Sequence, residues 1–404
     1  MTEVEIAAEI IGMVPHWYQA EHGPYRYSLT VGEHQEHFYN HCQLTPLLER
    51  FLAQVQERMK QVQLHYFGTF PGLIDVLLES LAVEWLQIHD SRTDWKRVVK
   101  YLDELSRRTF ENQPVALNLI IRPGEGSGDI TQAQLQKVFD ELASSPMTFL
   151  AVDPNFRLLN YGEVHWSQLK GDVSYKFYPE TLHPIHSILG EGELSAHLTL
   201  QGDLVFMNRD GLMAARRKRK WKIYDVQTFQ DSLAHCLGKY AVGASLIEIV
   251  FDLSFLRYGS LLIYDPLHVT RPHIRNKASI VFSGWKERLD SSPDPLTGQS
   301  LIGQFFEGLA MGDGLGSLKW KRRLIELARV DGAVIFDDQH VLAVGALIET
   351  HPCAGNQLGA RTTAAYSAYL WGAHPIKISS DGDVTVYFKS RDCQAECDAE
   401  LQFL

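Results

Sequence analysis

The C-terminal part of the chain alternates short apolar runs with helical segments, and this alternation most narrows the folds open to it. "GSLLIYD", "GAVIF" and "VLAVGALIE" are short, rich in aliphatic residues and flanked by Gly, Asp or Pro. Such runs are expected of strands buried on both faces. Around them "KWKRRLIELARV" and "RTTAAYSAYLWG" read as helices, and "PIKISSDGDVTVYF" as a closing hairpin with its turn at Asp381-Gly382. A long helix is expected from about Val226 to Leu256, with Leu246, Ile249, Val250 and Leu253 on one face. Helices interleaved with apolar strands predict an α/β fold, a mixed β-sheet flanked by helices.

Upstream the texture differs. "TPLLERFLAQVQERMKQV" puts Leu47, Leu48, Phe51, Leu52 and Val55 on one helical stripe, and "PGLIDVLLESLAVEWLQ" repeats the pattern after Pro71. "VALNLIIRPG" reads as a strand, and "DITQAQLQKVFDELASS" as a helix capped by Asp129 or Thr131. From about Met147 two hairpins are expected, turning at Asp153-Pro154-Asn155 and Gln201-Gly202-Asp203. The expected organisation is therefore an α+β region over 1–225, helix-rich to about 146 and then built of hairpins, the α/β domain over 226–391, and a tail over 392–404.

A chain of 404 residues exceeds one ordinary core. With 45% hydrophobic and 22% charged residues it belongs among folded globular proteins. The net charge of −11 argues against a whole-surface nucleic-acid binder, so any polyanion needs a local basic patch. That leaves nucleic acid only the run "RRKRKWK", Arg216 to Lys222, where Trp221 could stack on a base. The alternative reading of this run is a solvated hairpin edge. Five scattered cysteines, Cys42, Cys236, Cys353, Cys393 and Cys397, fit free thiols in a reducing cytosol. The acidic N-terminus is unlike a signal peptide, and Glu248 and Asp252 interrupt the longest apolar stretch. A soluble, cytoplasmic protein without membrane contact is expected.

Three pieces of the C-terminal domain carry chemistry. Asp331 precedes a buried strand at a Gly-Ala turn that lets backbone approach a ligand. "LGARTTAAY", from Leu358 to Tyr366, supplies Arg361 and a row of backbone N–H groups where a helix begins, a natural anion site. "ISSDG" adds Ser379, Ser380 and Asp381 at a strand end. A carboxylate opposite an anion cradle is the minimum for metal-assisted chemistry on a nucleotide phosphate.

In this order "LSFLRYGSLLIYD", "DGAVIF", "VLAVGALIE", "LGARTTAA" and "ISSDGDVTVYF" resemble the diadenylate cyclase (DisA-type nucleotide-binding) domain superfamily. Its members carry an "LS…GALIVI" segment, "DGA", a "G[TA]RHRAA" motif and a "VSEETG"-like hairpin at similar spacing. The likeness covers about residues 226–391, and "FPGLIDVLLESL" and "FLAVDPNFRLLNYG" more faintly resemble sensor regions attached to such domains. The resemblance implies a homo-oligomer in which two domains face each other, each holding one ATP with a divalent metal, Mg or Mn. Each ribose 3′-hydroxyl attacks the other nucleotide's α-phosphate, giving cyclic di-AMP or a related cyclic dinucleotide. It implies a catalytic and metal-orienting role for Asp331, with Gly332 and Ala333 lying against the nucleotide. Gly359 and Arg361 would contact phosphate within the turn that also holds Leu358, Ala360, Thr362 and Thr363. Ser380 and Asp381, after Ser379, would stand at the family's Ser-Glu pair.

The chain departs from the family at one place. "RHR" becomes Arg361-Thr362-Thr363, so a histidine and an arginine are missing and Arg361 reads as the only side-chain cation left in the cradle. Charge-assisted bonds to phosphate contribute about 1.5–3 kcal/mol each. Three functions follow: an active diadenylate cyclase-type nucleotidyltransferase, a catalytically lapsed nucleotide-binding sensor or signalling domain, or a nucleic-acid-associated scaffold using the basic run. Two further clusters invite a metal reading. His34, His37 and His41 would share a face if "HQEHFYNHC" were helical, although 17 histidines make such spacing common by chance. Cys393 and Cys397 have no second pair and read as surface thiols.

Overall fold

The computed structural model describes residues 25–31, 34–40, 45–61, 72–131, 142–165, 167, 169, 177–238, 240–276, 279–281, 318–355, 359–390 and 397–403. The chain divides into two compact units, Tyr25–Phe229 and Gln230–Leu404. Each is mixed α/β, with one large mixed sheet and flanking helices.

The first unit begins with a hairpin, β1 (Tyr25–Val31) and β2 (His34–Asn40). The stretch that carries His34 and His37 is a strand, so the helical spacing on which their shared face depended is not formed. His41 lies outside the described residues. Three helices follow, α1 (Pro46–Gln61), α2 (Gly72–His89) and α3 (Trp95–Ser106); the Asp94 carboxylate caps α3 by accepting from the Arg97 amide. A short β3 (Thr109–Phe110) and β4 (Gln113–Pro114) lead into β5 (Leu117–Ile121), β6 (Gly128–Asp129), β7 (Thr148–Val152) and β8 (Arg157–Glu163). A one-turn helix α4 (His183–Ser187) then precedes β9 (Leu194–Leu198), β10 (Leu204–Asn208), β11 (Gly211–Arg217) and β12 (Lys220–Ile223).

The expected hairpins exist, but they do not form a layer separate from the preceding segment. One sheet runs in the order β12-β11-β10-β9-β5-β7-β8-β6. The joint is β5, which pairs antiparallel with β9 (Leu119 opposite Ala196) and parallel with β7. Apolar faces find each other across the chain: the Trp85 indole of α2 donates to the Met213 carbonyl at 2.8 Å, and Trp95 of α3 packs edge-on to Phe206. The helix expected after Asp129 falls outside the described residues over 132–141. Asp129 itself pairs with Arg97 and accepts from the Thr131 amide.

The helix expected from Val226 to Leu256 is two helices, α5 (Val226–Leu237) and α6 (Tyr240–Phe255). Gly238, at φ +68°, takes the left-handed conformation that stops the first. The second unit continues with β13 (Ser260–Tyr264), α7 (Leu318–Leu327), β14 (Ala333–Phe336), β15 (Val341–Ala346), α8 (Ala360–Leu370), β16 (His374–Ile378), β17 (Val384–Ser390) and β18 (Cys397–Phe403). Its sheet order is β15-β14-β13-β16-β17-β18, parallel only between β13 and β14. The stretch read as a tail thus carries an edge strand, because β17 still offers a free row of backbone groups to pair with. Cys397 opens that strand, and Cys393 lies outside the described residues.

Both sheet faces are covered, which accounts for the unbroken apolar runs. Leu261, Ile263, Ala333, Ile335 and Tyr387 pack with Ala365, Ala368 and Tyr369 of α8. Leu262, Val334, Ile376 and Ile378, of opposite parity, are equally buried, and α6 packs against β16. Lys321 ties α7 to α6 through Glu248 at 3.1 Å and Asp252 at 3.0 Å, so the charges that interrupt the apolar stretch form a clamp between helices. No helix among the described residues is long and apolar enough to cross a membrane.

Candidate site at one end of the second sheet

Strand register decides which sequence pieces meet. Leu261 of β13 lies beside Ala333 of β14 on one side and Lys377 of β16 on the other. Hence the starts of β13 and β14, the end of β16 and the start of β17 share one end of the sheet. Asp331 lies two residues before Ala333, Gly259 two before Leu261, and the Ser379–Asp381 turn follows Ile378. The helix α8 packs across β16, β13 and β17 and begins at this same end. All three chemical segments of the sequence converge there, apart from Leu358, which lies outside the described residues.

Arg361 lies flat against the chain where β13 begins. A Cβ placed on Gly259 would sit 2.5 Å from Arg361 Nη1 and 3.0 Å from Cζ, so a glycine is what lets the guanidinium settle there. Arg361 makes no ion pair among the described residues. Gly359, at φ +97°, is the N-cap of α8, and no side chain among the described residues caps the helix. The Thr363 amide and hydroxyl both donate to the Gly359 carbonyl, at 3.0 and 3.1 Å. The amides of Ala360, Arg361 and Thr362 remain without a partner among the described residues, the arrangement an anion uses.

A second cation was missed. Lys377 Nζ donates to Thr362 Oγ1 at 3.4 Å, so Arg361 is not the only side-chain cation in the cradle. The signal was a lysine between the apolar residues of "PIKIS", but its direction becomes known only when β16 is paired with β13. Asn276 was missed too. It donates to the Gly345 carbonyl at 2.9 Å and accepts from the Leu347 amide at 2.7 Å, holding the end of β15 beside Asp331.

The remaining predicted residues divide by role. Asp331 is exposed, and among the described residues its Oδ1 accepts only from the neighbouring Gly332 amide, at 3.1 Å. Gly332, at φ +104°, is pressed against the Gly345 backbone, and the Ala333 side chain is buried in the core. Any ligand contact these two make is through backbone. The Ser379 hydroxyl accepts from the Asp381 and Asp383 amides and shapes the turn, leaving Ser380 and Asp381 exposed at its tip.

At the other end of the sheet the polar groups satisfy one another. Asp265 accepts from the Val269 and Thr270 amides and the Thr270 hydroxyl; Asp337 accepts from the Gln339 and His340 amides and pairs with His268; Asp338 accepts from Tyr264. The open donors and the open carboxylate are therefore at the Asp331 end. No group of three or more His, Cys, Asp or Glu side chains suited to a metal occurs among the described residues.

The basic run of the first unit is largely committed to structure. Arg216 pairs with Asp103 at 2.5 Å and Arg217 with Asp203 at 3.7 Å. Trp221 is 1% exposed and stacks on Phe206, so it cannot stack on a base. What projects is the tip Lys218-Arg219-Lys220 of the β11–β12 hairpin.

No family model matches the chain. No curated protein matches it either. Among solved structures, a hypothetical membrane spanning protein from Bacillus cereus is similar at 13% identity over 43% of this chain and 74% of that one, with a TM-score of 0.24. A likeness of that size carries no argument about fold or function.

Proposed function

We propose that the second unit binds a nucleotide polyphosphate at this end of its sheet, as a diadenylate cyclase-like domain with ATP as its ligand. The observation that carries the reading is the meeting of Asp331 with Arg361 and the uncapped start of α8, contributed by segments far apart in sequence. Backbone donors and a guanidinium suit phosphate oxygens, and the open carboxylate suits the ribose hydroxyl or a divalent ion. A single carboxylate fits Mg or Mn only if phosphate oxygens complete the coordination, which is how such ions are commonly held. When bound, the ion would polarise the phosphate; Arg361 and the helix amides would hold and orient it.

Two versions of this function remain, and they differ in turnover. The first condenses two ATP into cyclic di-AMP or a related cyclic dinucleotide between facing domains. The second binds the nucleotide without chemistry and reports it to a partner. Thr363 favours the second, because its hydroxyl is spent on the Gly359 carbonyl and adds nothing toward a leaving pyrophosphate. Incubating the protein with ATP and Mn²⁺ separates them. Cyclic dinucleotide that disappears in Asp331→Asn supports the cyclase, and ATP binding without product supports the lapsed domain. In either version Arg361→Ala is expected to weaken ATP binding by about 1.5–3 kcal/mol, roughly ten- to a hundredfold. Calorimetry that finds wild-type affinity in that variant rules out this end of the sheet as the phosphate site.

A further inference from the structure

We infer that Lys377 is the second phosphate-binding cation of this site and that it makes the site selective for a nucleoside triphosphate over a monophosphate. This rests on the nucleotide reading above. Lys377 interrupts a strand whose neighbours Ile376 and Ile378 are fully buried, and its cross-strand partners are Leu261 and Thr385, both buried. A β-branched apolar residue suits such a position better than a lysine. The side chain is half-buried, and its one hydrogen bond among the described residues is to the neutral Thr362 hydroxyl. Arg361, next in sequence to Thr362, also lacks a carboxylate partner among the described residues. Two partly buried cations at one end of the sheet, neither in an ion pair among the described residues, are an unfavourable arrangement unless an anion joins them.

The size of that anion follows from the sheet. Asp331 precedes β14, Arg361 lies over the start of β13, and Lys377 belongs to β16, so the backbones that carry the carboxylate and the ammonium are two strand spacings apart, about 10 Å. A single phosphate is small beside that separation. A triphosphate chain can span it, with its first phosphate near Asp331 and Arg361 and its terminal phosphates at Lys377. The lysine thereby supplies a cation at the position where Thr362 has none.

The test is calorimetric titration of the full chain, its Lys377→Met variant and its Lys377→Arg variant with ATP and with AMP. Lys377→Met keeps the apolar stem and removes the charge, and its melting temperature reports whether the fold is intact. The expected result is a loss of ten- to a hundredfold in ATP affinity with AMP affinity unchanged, and recovery of ATP affinity in Lys377→Arg. Wild-type ATP affinity in a folded Lys377→Met protein, alongside weakened binding in Arg361→Ala, overturns the role of Lys377 and leaves the nucleotide reading standing. An equal loss for AMP and ATP overturns the selectivity. Absence of ATP binding to the unaltered protein overturns both readings.

Discussion

Gly332→Ala is expected to destabilise the second unit by about 3 kcal/mol or more, whether or not a nucleotide is present. Two costs add. At φ +104° the residue occupies a conformation that L side chains rarely adopt. The new Cβ would also lie 2.5 Å from the Gly345 carbonyl carbon and 2.7 Å from its oxygen, backbone atoms fixed within β15 and its Asn276 staple. Neither atom belongs to a flexible side chain that could swing away. For a unit of this size such a loss lowers the melting temperature by roughly 6–12 °C. Gly359→Ala is the matched control: φ is +97°, but a Cβ there meets nothing within 4 Å among the described residues, so only the backbone cost applies, about 1–2 kcal/mol. Equal melting of Gly332→Ala and the unaltered protein would overturn the packing of β14 on β15 described here. The comparison also bears on function, because lost binding in Gly332→Ala reports a damaged scaffold, whereas lost binding in Gly359→Ala reports a damaged cradle.

That contrast shows what the sequence could and could not reveal. The segments bearing Asp331, Arg361 and Ser379 were legible because each sits at the edge of an element announced by local signals. Aliphatic runs mark the strands, and a Gly turn precedes α8. Their meeting was not legible, since it depends on β13 lying between β14 and β16, a pairing of residues about a hundred positions apart. Lys377 was missed for the same reason: a lysine in a strand has no direction until a partner strand fixes which face it shares. Gly332 looked like a ligand contact because Gly345, the neighbour that requires it, belongs to another strand. In the first unit the basic run looked available because its carboxylate partners, Asp103 and Asp203, come from elsewhere in the chain. The eight-stranded sheet was hidden because β5 and β9, which join its halves, lie on either side of the change in texture near Met147.

Acidification from pH 6.5 to 4.5 is expected to remove about 4–5 kcal/mol of stability from the first unit, through the buried His197 and the half-buried His89. Burial pushes His197 down to about 3, with His186 adding to the effect. Burial also pushes His89 down to about 4, against the opposing pull of Asp225 and Asp210. Geometry gives the His197 shift a structural reason. The Asn118 amide nitrogen donates toward the carbonyls of Ala143, Ser145 and Thr148, which turns its Oδ1 toward His197 Nδ1 at 2.8 Å. The proton therefore sits on Nδ1, and Nε2 accepts from the Ser195 hydroxyl at 2.9 Å. A second proton would have to enter on Nε2, where that hydroxyl already points its hydrogen, inside a ring of buried strands. In the unfolded chain both histidines protonate near pH 6.5. Between that pH and about 4 the unfolded state thus binds more protons than the folded one, and each group costs about 1.4 kcal/mol per pH unit. The stability is complete above pH 6.5 and falls as the pH drops toward the folded values. Hydrogen exchange of the β5 and β9 amides in urea, followed from pH 7 to 4.5, measures the slope locally. His197→Gln removes one titrating group, so its slope should be about half that of the unaltered chain. A slope that His197→Gln leaves unchanged would mean that the imidazole is not held neutral by the Asn118–Ser195 pair, and that other groups drive the acid transition.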